Sequence, residues 1–156
     1  MIEKNEKNEK ENVLVSACLL GVACRYDGLP KPCEAVLALK EKYNLIPVCP
    51  EIFGGLQTPR PACEIKNGRV VTKNGEDKTE FYERGANEVL KLAKIFNAKK
   101  AILKENSPSC GFGKIYDGSF SGKLTDGNGL TAELLFSRGI QVFGESRINK
   151  LIDLYS

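Results

Sequence analysis

"VLVSACLLG", residues 13–21, decides the architecture. Val13, Leu14 and Val15 make an unbroken apolar run rich in β-branched side chains and followed by a glycine, the pattern of a strand buried on both faces. Runs of the same form recur as "LIPVCPE" at 45–51, stopped by Pro50, "KAILKE" at 100–105 and "IQVFGE" at 140–145. Helical patterns lie between them. "CEAVLALKEKY" at 33–43 carries Val36, Leu37, Leu39 and Tyr43 on one apolar side. "TEFYERGANEVLKLAKIF" at 79–96 repeats Phe81, Val89, Leu92, Ala93 and Phe96 at helical spacing, with Glu80 near its start and Lys91 and Lys94 near its end, as the helix dipole favours. "GLTAELLFSRG" at 129–139 reads as a helix ended by Gly139, and "SRINKLIDLY" at 146–155 as a closing helix. Strands alternating with helices predict an α/β fold: a Rossmann-like parallel sheet with helices on both faces. Asn67-Gly68, between "EIK" and "RVV", predicts a small β-hairpin excursion from it.

The chain of 156 residues, 42% apolar and 28% charged, has the profile of one globular domain. Residues 1–12, "MIEKNEKNEKEN", read as a charged flexible tail, and 13–156 as a single α/β domain. No apolar run is long enough for a membrane span and the start is too charged for a secretory signal, so a cytoplasmic protein without a membrane partner is expected. The net charge of +3 is mild, and Lys99, Lys100 and Lys104 are interspersed with carboxylates, so there is no strong nucleic-acid signal. No feature sets an oligomeric state. Histidine is absent, which excludes Ser-His and Cys-His nucleophilic pairs, a histidine general base and mixed Cys/His zinc sites.

Six cysteines in a cytosolic chain point to metal binding or thiol chemistry rather than disulfides. Cys18 and Cys49 each end an apolar strand run, and Cys110 sits in the polar turn "ENSPSCGFG" at 105–113, just past the third strand. In parallel sheets ligands bind at the carboxyl ends of the strands, so topology can bring all three to one rim. There is no Cys-x-x-Cys pair, which argues against a zinc ribbon, a thioredoxin motif and the tight cysteine run of bacterial ferredoxins. A three-thiolate site keeps one metal position open for chemistry, whereas Cys24, Cys33 or Cys63 as a fourth ligand would close it for structure or electron transfer. Glu51, two residues after Cys49, is a candidate general acid or base, and Ser107 lies three before Cys110. Arg60 in "GGLQTPRP" can clamp a phosphate or carboxylate, and Arg25 and Asp27 in "CRYDG" can hold a polar substrate or simply form a β-turn. "YDGSFSGKLTDGNG" at 116–129 is glycine-rich without the lysine of a Walker loop and reads as loop.

Together "VSACLLGVACRYDG", "IPVCPEIFGGLQTPRP", "VVTKNGED" and "ILKENSPSCGFGKIYDGSFSGKL" resemble a family long catalogued only as a domain of unknown function, whose characterised members are thiouracil desulfidases. The resemblance runs over nearly all of 13–145, with separate motifs in the expected order. It implies a 4Fe-4S cluster held by three cysteines, matching Cys18, Cys49 and Cys110, with one open iron for substrate sulfur. The implied reaction removes sulfur from thiolated uracil, or its nucleoside and nucleotide forms such as 4-thiouridine monophosphate, without net electron transfer. The implied substrate is thus a small thiolated pyrimidine, with a nucleotide expected. Glu51 and Ser107 match the family's acid-base and polar catalytic residues, with Ser109 the rival for the serine role. Cys33 and Cys63 depart from the commoner family pattern. Competing expectations are a non-catalytic iron-sulfur or zinc module closed by a fourth cysteine, and a metal-free persulfide carrier using Cys110.

Overall fold

The computed structural model describes residues 9–153. Its strands are β1 (Glu11–Ser16), β2 (Tyr43–Val48), β3 (Cys63–Lys66), β4 (Arg69–Thr72), β5 (Lys100–Leu103), β6 (Lys114–Tyr116), β7 (Leu124–Asp126) and β8 (Gln141–Gly144). The helices are α1 (Glu34–Leu37), α2 (Pro50–Phe53), α3 (Thr79–Ile95), α4 (Leu130–Ser137) and α5 (Ile148–Asp153).

Four strands form one parallel sheet in the order β2-β1-β5-β8, the α/β architecture expected from the alternation of strands and helices. Side chains alternate across β1 and β5. Leu14, Ala101 and Leu103 face α3 and α4, against Val89 and Leu135. Val13, Val15 and Ile102 face the other way, against Val36 of α1 and Leu151 of α5. Both faces of the central strands are therefore dry, which is why they read as continuous apolar runs. Pro47 is tolerated because β2 is an edge strand, where one side of the backbone has no ladder to complete.

Two boundaries differ from the sequence reading. Strand β1 begins at Glu11, inside the stretch read as tail, and the carboxylate of Glu11 pairs at 2.7 Å with buried Lys100 at the start of β5. Residues 1–8 of that expected tail lie outside the described residues. The helix expected over 33–43 is the single turn α1 followed by a 3-10 turn, Ala38–Glu41, in which the Lys42 N–H bonds back to Leu39 and tightens the chain before β2.

The Asn-Gly hairpin forms between β3 and β4, with Asn67 and Gly68 both at positive φ, as a type I′ turn requires. A second hairpin, β6–β7, occupies part of the stretch read as loop; its strands have three residues each and β7 is exposed throughout, so they carry no buried alternation. The β6–β7 loop lies on β3, where a Cβ on Gly118 would stand 2.8 Å from the Ile65 carbonyl oxygen. The two hairpins thus share one side of the sheet's carboxyl edge.

Candidate metal centre and substrate cavity

A cavity of about 440 Å³ opens at the carboxyl ends of β1, β2 and β5. Cys18 enters it from the 3-10 turn Ala17–Leu20 after β1, Cys49 from the junction of β2 and α2, and Cys110 from the turn beyond β5. Glu51 and Ser107 line it as well. All three cysteines are free thiols.

Cys49 and Glu51 are placed by a close helix crossing. A Cβ on Gly54 would collide with the Phe81 carbonyl oxygen, and one on Gly85 with the Pro50 carbonyl oxygen. Only glycine lets α2 rest on the backbone of α3, and Cys49 and Glu51 belong to the end seated there. The Phe53 N–H bonds to the Cys49 carbonyl at 2.9 Å, so Cys49 begins the helix, with Pro50 at its first position.

Cys110 is placed by hydrogen bonds. Ser107 Oγ accepts the N–H groups of Ser109 (3.0 Å) and Cys110 (2.7 Å). The first N–H groups of α4, from Leu130 and Thr131, bond to the carbonyls of Pro108 (2.9 Å) and Ser109 (2.8 Å), so the turn caps that helix. Ser16, at the end of β1, joins the parts: its Oγ accepts the Lys104 N–H at 2.9 Å and donates to Cys110 Sγ at 3.4 Å. Ser16 was invisible to sequence reasoning, because a polar residue ending an apolar run has no periodic signature. Its place immediately before the Cys18 turn was the available signal.

The other expected site residues separate. Arg25 lines the cavity and pairs with Asp27 at 3.3 Å, whereas Asp27 does not line it and accepts the Leu29 N–H in a tight turn. Ser109 is fully buried and its hydroxyl bonds to Thr131 Oγ1 at 2.9 Å, away from the cavity lining. Arg60 lines the cavity and turns both Nη atoms to the protein: Nη1 on Gln57 O and Thr58 Oγ1, Nη2 on Cys24 O at 2.9 Å and on Glu51 Oε2 at 3.9 Å. It ties the Cys24 segment to the carboxylate. Cys24 and Cys63 also line the cavity; Cys33 does not.

Burial sets the protonation of this rim. It pushes the Cys18 thiol up to about 11, with the Glu51 and Cys49 charges adding to the effect. Cys110 is pushed well above the ordinary thiol range, again by burial and then by Glu51. Cys49 is raised by its contact with Cys24, by burial and by Glu51, while the same contact lowers Cys24. Glu51 is raised by burial, which the Arg60 charge partly offsets. Without a cation in the cavity the Cys18, Cys49 and Cys110 thiols keep their protons, so a centre bound by them must displace those protons on loading. Among the described residues no three His, Cys, Asp or Glu side chains are grouped closely enough to hold a single metal ion.

The sequence pattern of the 2-thiouracil desulfurase family matches residues 13–147. The chain belongs to this family. It is 44% identical over 150 residues to the uncharacterised protein YbbK of Bacillus subtilis (strain 168), an alignment covering 90% of this chain and 99% of that protein. Among solved structures, the 4Fe-4S-dependent thiouracil desulfidase TudS is 45% identical, with a TM-score of 0.86 over 92% of this chain and 96% of its own. The motifs that resembled a thiouracil desulfidase family therefore led to the right family, and the parallel sheet of this 2-thiouracil desulfurase relative matches that of TudS. No helix among the described residues is long and apolar enough to cross a membrane.

Proposed function

We propose that this protein is an iron-sulfur-dependent, non-redox desulfidase that converts a thiolated uracil base, nucleoside or nucleotide to its oxygen form and sulfide. The observation that carries the proposal is the arrival of three free thiols from three strand ends at one cavity beside the partly buried carboxylate of Glu51, in a chain of the 2-thiouracil desulfurase family.

Cys18, Cys49 and Cys110 are assigned as the ligands. The donor set fits the group: thiols are soft, and these three reach one cavity from separate strand ends, so each thiolate can bind a different iron. When bound by three thiolates, a 4Fe-4S cluster supplies one iron without a protein ligand, a soft Lewis acid for a thione sulfur.

Glu51 is the only assigned acid-base group. Its carboxylate accepts a proton from water as the oxygen adds to the ring carbon and returns it to the sulfur; the C–S bond then breaks with its electron pair to leave hydrosulfide, while the C=O bond forms as the added hydroxyl releases its proton to solvent. Carbon keeps its oxidation state, so no electron donor is needed. Arg60 holds Glu51 from the side facing Cys24. Ser107 accepts two N–H groups, which leaves its own proton as the one hydrogen bond it can offer to substrate. Arg25, Lys73 and Lys104 on the lining support a nucleotide as substrate.

The test is anaerobic purification with iron and sulfide quantification, followed by a sulfide-release assay on 4-thiouracil, 4-thiouridine and 4-thiouridine monophosphate. Wild-type protein is expected to carry about four irons per chain and release sulfide. Glu51→Ala is expected to keep the iron and lose at least about a hundredfold in turnover. A fully active Glu51→Ala protein removes Glu51 from the mechanism, and a fully loaded wild type that releases no sulfide removes the desulfidase reading. A second reading, a closed four-thiolate centre, is favoured by the presence of Cys24 and Cys63 on the same lining.

A further inference from the structure

One wall of the cavity is not used by the chemistry above. It comes from the two hairpins, with Glu64 on β3 and Tyr116 and Phe120 on the β6–β7 hairpin. Glu64 is its unusual member, a carboxylate only 9% exposed. Oε1 accepts two backbone N–H groups of the β6–β7 loop, from Gly118 and Phe120, each at 3.0 Å. That grip explains how Phe120 is kept over the cavity at a φ of 57°, a left-handed backbone that a phenylalanine seldom adopts. Oε2 takes no hydrogen bond or ion pair from the described residues. It is not sealed in, because the enclosed side-chain nitrogen or oxygen without a partner among those residues is Arg60 Nε. Glu64 is one of the residues that line the cavity. A carboxylate oxygen this deep is costly unless a donor completes it.

We propose, on the desulfidase reading, that Glu64 determines specificity: Oε1 ties down the loop bearing Phe120, and Oε2 accepts a hydrogen bond from a neutral N–H or O–H on the part of the substrate remote from its sulfur. The thione end goes to the cysteine rim, so the hairpin wall meets the opposite end. In a free base the donor there is a ring N–H; in a nucleoside or nucleotide it is a ribose hydroxyl. A phosphate is disfavoured beside the Glu64 carboxylate by charge repulsion and belongs with the cationic lining residues, of which Arg25 and Lys104 lie on other segments and Lys73 follows β4. Glu64 therefore reads the base or sugar and leaves any phosphate to Arg25, Lys73 and Lys104.

Glu64→Gln separates the two functions. The glutamine carbonyl oxygen still accepts the loop N–H groups, whereas the cavity-facing atom changes from acceptor to donor. On loaded enzyme, Glu64→Gln is expected to raise KM for the preferred thiolated substrate about ten-fold or more, with the loss in KM rather than kcat, because a hydrogen bond to a charged acceptor is replaced by a donor-donor contact. Glu64→Ala, which also releases the loop, loses more. Substrate analogues supply the second measurement and need no mutation: the 1-methyl base and the 2′-deoxy and 3′-deoxy nucleosides. One donor deletion is expected to weaken wild type about ten-fold and to cost Glu64→Gln little, the coupling expected of a direct contact. The analogue that does so identifies the donor as ring N–H or ribose hydroxyl. Equal KM in wild type and Glu64→Gln, or donor deletions that cost both proteins equally, overturns the inference while leaving the desulfidase reading intact. If Glu64→Gln does not fold, wild type that tolerates every donor deletion overturns it. A fully loaded wild type inert toward all thiolated pyrimidines fails the desulfidase reading, and the inference falls with it.

Discussion

The segment carrying Cys49 is held by shape, with α2 resting on the bare backbone of α3 at Gly54 and Gly85. The turn carrying Cys110 is held by polar contacts: two N–H groups on Ser107, two carbonyls on the start of α4 and the hydroxyl of Ser16 on the thiol. The two modes fail differently. A steric seat has no graded substitute, since one added methyl must displace a backbone. A hydrogen-bonded turn can lose one bond and keep the rest.

Gly85→Ala is the largest expected break. Alanine favours a helix interior over glycine by about 1 kcal/mol, but the clash with the Pro50 carbonyl opposes it, and forcing extra volume into a packed contact costs about 1–3 kcal/mol or more. We expect a lower Tm and iron content well below wild type, because Cys49 and Glu51 move with α2. An unchanged Tm with full iron loading would show that the helices can separate without disturbing the site. Ser107→Ala comes next. It strands the N–H groups of Ser109 and Cys110 at a cost of about 1–3 kcal/mol, and Ser107→Thr, which keeps the hydroxyl, should restore most of the Tm loss in thermal melts. Ser16→Ala is smaller, about 1 kcal/mol, with the cluster absorbance retained, because Cys110 keeps its other supports. Cys33→Ser is the smallest: Cys33 does not line the cavity, and iron content should match wild type.

The same contrast explains what could be read from the sequence. Strands β1 and β5 were legible because burial on both faces writes continuous apolar runs, β2 was legible as a short apolar run stopped by Pro50, and the convergence of Cys18, Cys49 and Cys110 followed from their places at or beyond strand ends. The roles of Gly54 and Gly85 were not legible, since neither a glycine in a loop nor one inside a helical pattern says which carbonyl it faces. From its loop setting Arg60 could be a ligand clamp or an ordinary surface arginine; the fold shows Cys24 O, Gln57 O, Thr58 Oγ1 and Glu51 on its Nη atoms, which no sequence pattern announces. Glu64 escaped notice for a related reason. Beside an Asn-Gly turn it reads as a surface charge, and its burial arises from a hairpin that is distant in sequence and too short to leave a periodic trace.

The central claim is that three cysteines hold the centre and leave one position open, although two more thiols share the cavity. Iron quantification on anaerobically prepared Cys24→Ser and Cys63→Ser proteins, beside Cys110→Ala, tests it most directly. The account predicts about four irons per chain and retained sulfide release in both serine variants, with iron lost in Cys110→Ala. Loss of iron in either serine variant, or full loading of Cys110→Ala, would contradict it.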